Sequence, residues 1–410
     1  MREPSYSDLG AGMEVGGWRT QWAVGQGSFH SGAVRTEGHT VRYVYDCGTT
    51  QPAYKDALDR ELDEAIRRLD NRVDLLYLSH FHKDHTSGVE RLLGRADVRH
   101  VIIPLAPASE RIMALAASLD AEDPLPEWYV ELIADPVGFF VTAGANVTEV
   151  RPDDGNGLAP VEFPLEPADN DQPWFTAPTP GGQTPDRASA ALAEGGYRPL
   201  WLWVPWVLSQ ARTTQGAFLT QLSTQTGLTR LQLEDRLATA EGLRQLGTGR
   251  RDPLRRAYNA AVQGRNLNFT SMALYSGPPP GGGRGGLAEG HYEAAGVLAL
   301  LARPQVGWLA TGDATLRAAE RTAEFNRAFH PFSSTVGTFV LPHHGSDENF
   351  RDDLLAPFRP GTTFVASADK HGRWRHPGPT ATRASMSAGH LIWVRADEAT
   401  RWTEHFVASR

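Results

Sequence analysis

An α/β fold, with sheets covered by helices, is what this sequence predicts, and three observations carry it. Apolar strand patterns alternate with helical ones from about residue 40 to 105. A second block of strand patterns occupies the last third of the chain, and the stretch between the blocks is mainly helical in its apolar spacing.

Residues 18–50 read as short strands joined by glycine turns, "WAVGQGSFHSGAV" and then "TVRYVYDCGTT". "YKDALDRELDEAIRRL" places its apolar residues at helical spacing. "VDLLYLS" reads as a buried strand, "TSGVERLLGR" as a helix and "VRHVIIPL" as another buried strand. Residues 108–133 look helical, "VGFFVTAGANVTEVRP" reads as strand, and the Pro-, Asp- and Gly-rich segment 152–187 reads as an irregular surface stretch. Helical patterns dominate 205–263. Strands resume at "LNFTSMALYSG", pause at the glycine-rich loop "PPPGGGRGGLAEG", and continue through "VGWLATGD", "GTFVLPHHGS", "TTFVAS" and "HLIWVRA". The reading is one domain over 15–410, interrupted by a mostly helical insertion at 108–263 that serves as a lid or partner surface.

The chain has 410 residues, 40% of them hydrophobic and 21% charged, which suits a large soluble domain with an ample core. No signal-like apolar run opens it, and "PLWLWVPWVL" is too short to span a bilayer, so a cytoplasmic location is expected. One cysteine, Cys47, excludes an intrachain disulfide and a thiolate zinc site. A net charge of -8 argues against indiscriminate coating of nucleic acid.

The chemistry concentrates in "SHFHKDH", where His80, His82, Asp84 and His85 follow a buried strand. Alternate residues point the same way, so His80 and His82 can grip one ion while Asp84 and His85 turn toward a second. Asp313 in "LATGDA" follows another apolar strand, and its two oxygens suit a bridge between ions, although an aspartate there also suits a helix cap. Arg250, Arg251, Arg255, Arg256 and Arg265 form a basic cluster that reads more simply as a solvated helix face. Trp201, Trp203 and Trp206 read more simply as packing than as base-stacking residues.

These motifs resemble the metallo-β-lactamase superfamily, which implies a four-layered αβ/βα sandwich binding two divalent metal ions. "YDCGT" (Asp46, Gly48) resembles its early Asp-x-Gly turn, and "LPHHGS" resembles the loop that supplies its last histidine. "VGQGS", "NFTS", "TGD", "PHHGS" and "RHP" most resemble the hydrolase domain of ComEC-type DNA-uptake proteins and their soluble relatives, over about 20–105 and 265–395. The resemblance implies metal ligation by His80, His82, Asp84, His85, Asp313 and His344, with His343 preferred as the histidine facing substrate. It implies catalytic roles for Asp84, His343 and His376, and substrate contacts by Asn268, Ser271, Lys370 and Arg373. The sequence departs from the family in one respect: no histidine follows His100 until His291, so the usual intermediate ligand is missing. Oxygen-rich ligation would suit Mn²⁺ as well as Zn²⁺.

The implied function is a metal-dependent phosphodiester hydrolase, a nuclease acting on DNA or RNA through a metal-bound hydroxide. The alternative is a small-molecule hydrolase on the same fold: a lactonase, thioesterase or small phosphodiesterase. Expected partners are nucleic acid or another phosphodiester, and a protein partner or activating protease at the insertion, with no membrane.

Overall fold

The computed structural model describes residues 14–50, 52–119, 125–152, 174–176, 189–193, 199–208, 212–262, 270–281, 285–293, 301–370 and 375–409. Asn268, Arg265, Arg373 and most of 152–187 lie outside the described residues.

The apolar runs become strands because both of their faces are buried. Leu76, Val101 and Ile103 point into one apolar layer, whereas Leu75, Tyr77 and Ile102 point into another. In Pro199–Val207 the same alternation sends Trp201 and Trp203 to one side and Leu202, Val204 and Trp206 to the other. Two large sheets result. The first orders its nine described strands as Leu301–Arg303, Gly285–Tyr292, Trp402–Ser409, Glu14–Gln21, Phe29–Arg35, Thr40–Cys47, Leu75–Tyr77, His100–Pro104 and Asn146–Val150. The second orders eight as Gly389–Val394, Thr362–Ser367, Val336–Val340, Gly307–Ala310, Met272–Gly277, Pro199–Val207, Ala190–Ala193 and Trp174–Thr176.

Three apolar layers separate four layers of structure. Helix Lys55–Arg68 and the helices of the middle region cover the outer face of the first sheet through Leu62, Ile66, Leu115, Ile133, Leu222 and Leu246. The second layer lies between the sheets, and the third puts Phe325, Phe329 and Ala381 of Ala319–Phe329 and Pro379–Ala388 on the second sheet. This is the αβ/βα sandwich expected. Among the described residues, no helix is long and apolar enough to cross a membrane.

Two local expectations change. "VGFFVT" is helical, within Pro136–Thr142, because Asp135 accepts from the Gly138 amide (2.9 Å) and Pro136 occupies the first turn; only Asn146–Val150 beyond it is strand. The segment 108–263, expected to be mostly helical, contributes described strands to both sheets as well as helices. The three tryptophans are buried in the second sheet and are unavailable for stacking on bases. Arg250, Arg255 and Arg256 lie in or beside helix Arg251–Val262, where they bond Thr226 O, Asp252 and Gln225.

One polar cluster lies between the sheets. Glu404 accepts from Arg19 Nε (2.5 Å), from Thr338 Oγ1 (2.8 Å) and from Arg303, while Arg19 Nη1 donates to Val306 O (2.8 Å) and Arg303 Nη1 to Thr363 Oγ1 (2.7 Å). Glu404 and both arginines belong to the first sheet and the threonines to the second, so these bonds pin the sheets at one register. Burial opposes charge on Glu404, but Arg19 and Arg303 hold its carboxyl below the usual range. Glu404→Ala, which strands two guanidinium groups in a dry layer, is expected to cost about 3–5 kcal/mol in chemical denaturation. Replacing Glu404, Arg19 and Arg303 together by apolar residues is expected to recover much of that loss.

Candidate metal centre

The parallel strands of both sheets end at one place, and each ligand sits just past a strand end. Leu75–Tyr77 leads into Ser79–His85, Gly307–Ala310 into Gly312–Asp313, and Val336–Val340 into His343–His344. Asp84, His85, Asp313 and His344 present ligand atoms within 4.8 Å of one another, and so do His80, His82 and Asp313. Asp313 is common to both groups. Its Oδ1 lies 3.1 Å from His85 Nε2 and 3.8 Å from His344 Nε2, whereas its Oδ2 lies 3.7 Å from His80 Nε2 and 3.5 Å from His343 Nδ1.

The hydrogen bonds decide where the imidazole protons sit. Asp46 accepts from Ser79 N (2.6 Å), Ser79 Oγ (2.7 Å) and His85 Nδ1 (2.7 Å). Because Ser79 gives its proton to Asp46, its oxygen accepts from His80 Nδ1 at 2.9 Å. His344 Nδ1 donates to Ser367 O at 2.9 Å. All three rings therefore carry a proton on Nδ1 and turn Nε2 inward. His80 Nε2 and His85 Nε2 are buried without a hydrogen-bond partner, and His344 Nε2 faces Asp84 Oδ2 at 3.2 Å. A neutral ring in that position offers a lone pair to a carboxylate oxygen, an arrangement that a shared cation satisfies. Burial lowers the basicity of His80, His82 and His343 first of all, which favours their neutral form. Against burial, Asp313, Asp46 and Asp84 raise that of His85, so that an ion held there would displace a proton.

Spacing supports the same conclusion. Ligand atoms around a tetrahedral ion at about 2.0–2.1 Å stand roughly 3.3 Å apart. Four of the separations among Asp84, His85, Asp313 and His344 run from 3.1 to 3.8 Å, and all the ligand atoms lie within 4.8 Å of one another. This donor set fits a divalent ion. The His80 side offers three candidate ligands, and among the described residues no other His, Cys, Asp or Glu joins that group. His291, the next histidine after His100, stacks on His405 (5.8 Å) within the first sheet.

Glycines make the turns possible. A Cβ on Gly48 would lie 2.6 Å from Thr86 N, and one on Gly312 would lie 2.4 Å from Ser271 Oγ. Asp46, His343 and His344 hold positive φ of 56°, 47° and 58° without being glycine. Such strain costs about 1–3 kcal/mol per residue and persists where surrounding structure compels it.

The remaining candidates fall in different places. Ser271 is buried, and its Oγ accepts from Asp313 N (2.9 Å), so it braces the Asp313 turn. The His376 ring lies 5.8 Å from His343 and 6.5 Å from His344, beside the ligands. Lys370 is exposed, and its carbonyl accepts from Tyr54 OH (2.7 Å).

Sequence reasoning missed Glu110. It lines a narrow cleft of about 40 Å³ together with His80, His82, Arg111, Tyr258 and Thr270. That is room for roughly two or three waters. Burial pushes its carboxyl up to about 7, against hydrogen bonds from Thr270 and Gln215. Only its place on the cleft-facing side of Ala108–Ala117 distinguishes it, and an isolated glutamate in an apolar helix is the one signal the sequence offers.

Residues 24–173 match the family model described as the metallo-beta-lactamase superfamily. No curated protein matches the chain. Among solved structures, the chain is similar to the metallo-beta-lactamase fold protein YhfI from Bacillus subtilis at 8% identity, with 93% of this chain and 97% of that one covered and a TM-score of 0.36. It is similar to a long form RNase Z from yeast at 8% identity, over 86% of this chain and 36% of that one, with a TM-score of 0.33. A metallo-beta-lactamase mutant from Cronobacter sakazakii is 18% identical over 58% of this chain and 90% of that one, with a TM-score of 0.21.

Two outcomes are expected of this geometry. Asp46→Ala, which touches no ion, should weaken divalent-metal affinity about 10–100-fold in a chelator competition, because His85 loses its orienting carboxylate. Glu110 has a carboxyl raised from 4.5 in the unfolded chain, so its stabilising share is complete below about pH 4.5 and is lost as pH rises through about 7. Relative to Glu110→Gln, the wild type should therefore lose up to about 3 kcal/mol of stability between about pH 5 and about pH 8, read by denaturant titration.

Proposed function

We propose that this chain, which has the metallo-β-lactamase fold, is a metal-dependent hydrolase of phosphodiesters, acting on nucleic acid. The observation that carries the reading is the Asp313 carboxylate, whose two oxygens face two separate groups of ligand atoms. A paired site of this kind suits in-line displacement at phosphorus, where attacking and leaving oxygens both develop charge. The motifs "PHHGS" and "RHP", similar to those of ComEC-type hydrolase domains, favour a nucleic-acid substrate.

Bound divalent ions would supply Lewis acidity and a lowered pKa for water. His80, His82 and Asp313 would hold one, and Asp84, His85, Asp313 and His344 the other; the N/O donor set suits Zn²⁺ or Mn²⁺. The protein's own groups do the rest. Asp84, whose carboxyl is held below its usual range by His85 and His344 in spite of burial, stays ionised and orients the attacking water by accepting a hydrogen bond from it. His343 and His376 stand with rings 5.8 Å apart beside the ligands and donate to the phosphoryl oxygens or the departing oxygen. Asp46, Ser79 and Ser367 keep three ligand rings from turning.

The narrowness of the cleft on the His80 side favours a second reading, hydrolysis of a small lactone, thioester or phosphodiester. The two readings separate on a substrate panel. Single- and double-stranded DNA, RNA, bis(p-nitrophenyl) phosphate, a lactone and a thioester are offered with Zn²⁺ or Mn²⁺. Phosphodiester cleavage should fall by more than about a hundredfold in Asp84→Ala and Asp313→Ala. Cleavage of the lactone or thioester with every phosphodiester inert would replace the first reading with the second.

A further inference from the structure

Beside the bond from Tyr129 OH to Phe81 O (2.8 Å), one buried carboxylate that the hydrolytic reading leaves unused ties the helical region to the metal centre. Glu110 lies in the first turn of Ala108–Ala117 and is nine-tenths buried. Its Oε2 accepts from Thr270 Oγ1 and its Oε1 from Gln215 Nε2 on Arg212–Thr226. Ser109 Oγ donates to Gln215 Oε1 at 3.1 Å, which turns the Gln215 amide so that its NH₂ group faces Glu110.

Thr270 opens the segment that supports both ligand loops. Ser271, next in the chain, accepts from Asp313 N at 2.9 Å, and Met272 N donates to Ser79 O at 2.7 Å. Met272 O in turn accepts from Tyr45 OH at 2.6 Å. Gly312 leaves no slack, since an added Cβ would lie 2.4 Å from Ser271 Oγ and 2.7 Å from Ser79 Cβ. A shift at Thr270 is therefore felt at Ser79, which orients His80 and His85, and at Asp313.

We infer that Glu110 is a positioning residue: by holding Thr270, it makes the helical region set the Asp313 turn and hence the affinity of the metal centre. The inference rests on the metal-binding part of the function proposed above. A carboxylate suits the task because it accepts from both Thr270 and Gln215, and charge-assisted bonds are the stronger kind. Its burial-raised pKa near 7 would let the tie change strength at neutral pH. The titratable groups facing the same space are Arg111 on its own helix, Tyr258 from Arg251–Val262, and His80 and His82 from the ligand loop. Because the two histidines titrate too, the pH dependence of metal binding is not the diagnostic measurement.

The diagnostic measurement is divalent-metal affinity of the full chain without substrate, by competition of Zn²⁺ and Mn²⁺ with a chromophoric chelator. Glu110→Ala and Thr270→Val should each weaken binding about tenfold, the lower end for groups that orient ligands. The double variant should be no weaker than Glu110→Ala alone, since both break one tie. Glu110→Gln, which retains an acceptor oxygen, should restore part of the affinity. Leu246→Ala, which removes apolar packing from the helical core and leaves every bond of this tie in place, should lower the thermal midpoint and leave metal affinity unchanged. Unchanged affinity in both single variants, losses that multiply in the double variant, or an equal loss in Leu246→Ala would each overturn the inference. A wild type that binds neither ion would overturn the metal reading and this one together. A wild type that binds metal but cleaves no phosphodiester would overturn only the proposed substrate.

Discussion

The carboxylate of Asp313 is the point on which the architecture converges. It is 1% exposed, and a buried charge of that kind survives only when paired or ligated. Its partners come from both sheets: His80 and His85 from the first, His343 and His344 from the second. The sheets must therefore meet at one register, and the cluster of Arg19, Arg303, Glu404, Thr338 and Thr363 enforces it from within the layer between them. Nearby, the dry packing of Trp201, Trp203 and Trp308 leaves little room for the sheets to slide.

Around that carboxylate, groups that never touch an ion do most of the positioning. Asp46 and Ser79 decide the tautomer of His85 and His80, and the Ser367 carbonyl decides that of His344. Three of the five described non-glycine residues with positive φ, Asp46, His343 and His344, lie in the same shell. Strained residues gathered at one site, each held by packing or hydrogen bonds, are what a preorganised centre requires. The same principle extends outward to Ser271 and Glu110, which link the site to helices far from it in sequence.

Much of this was legible in the sequence, because strand ends and polar clusters are local. "SHFHKDH" after "VDLLYL" marks a loop past a buried strand, and "TGD" and "PHHGS" mark two more. The structure brings His80, His82, Asp84, His85, Asp313 and His344 into two groups that share one aspartate. Other readings failed where tertiary burial overrode local pattern. "VGFFVT" has an apolar run that suits either a strand or a helix, and the Asp135 cap settles it. "PLWLWVPWV", to which the sequence pattern assigned no element of its own, joins the second sheet because both its faces find apolar partners.

The sequence by itself determined the layered α/β fold, the chemistry of the ligand set and the gap where an intermediate histidine is usual. The fold class follows from periods of two and of three to four and the cluster at His80–His85 from residue type, which a chain carries before it folds. The rest of the ligand set and the gap follow from the family resemblance. Only the tertiary structure decided which histidine of "PHHGS" joins Asp84, that Ser271 supports Asp313, and that Glu110 belongs to the cleft. Each of those depends on contacts between residues 40 to 260 positions apart, and no local pattern encodes a distance of that kind.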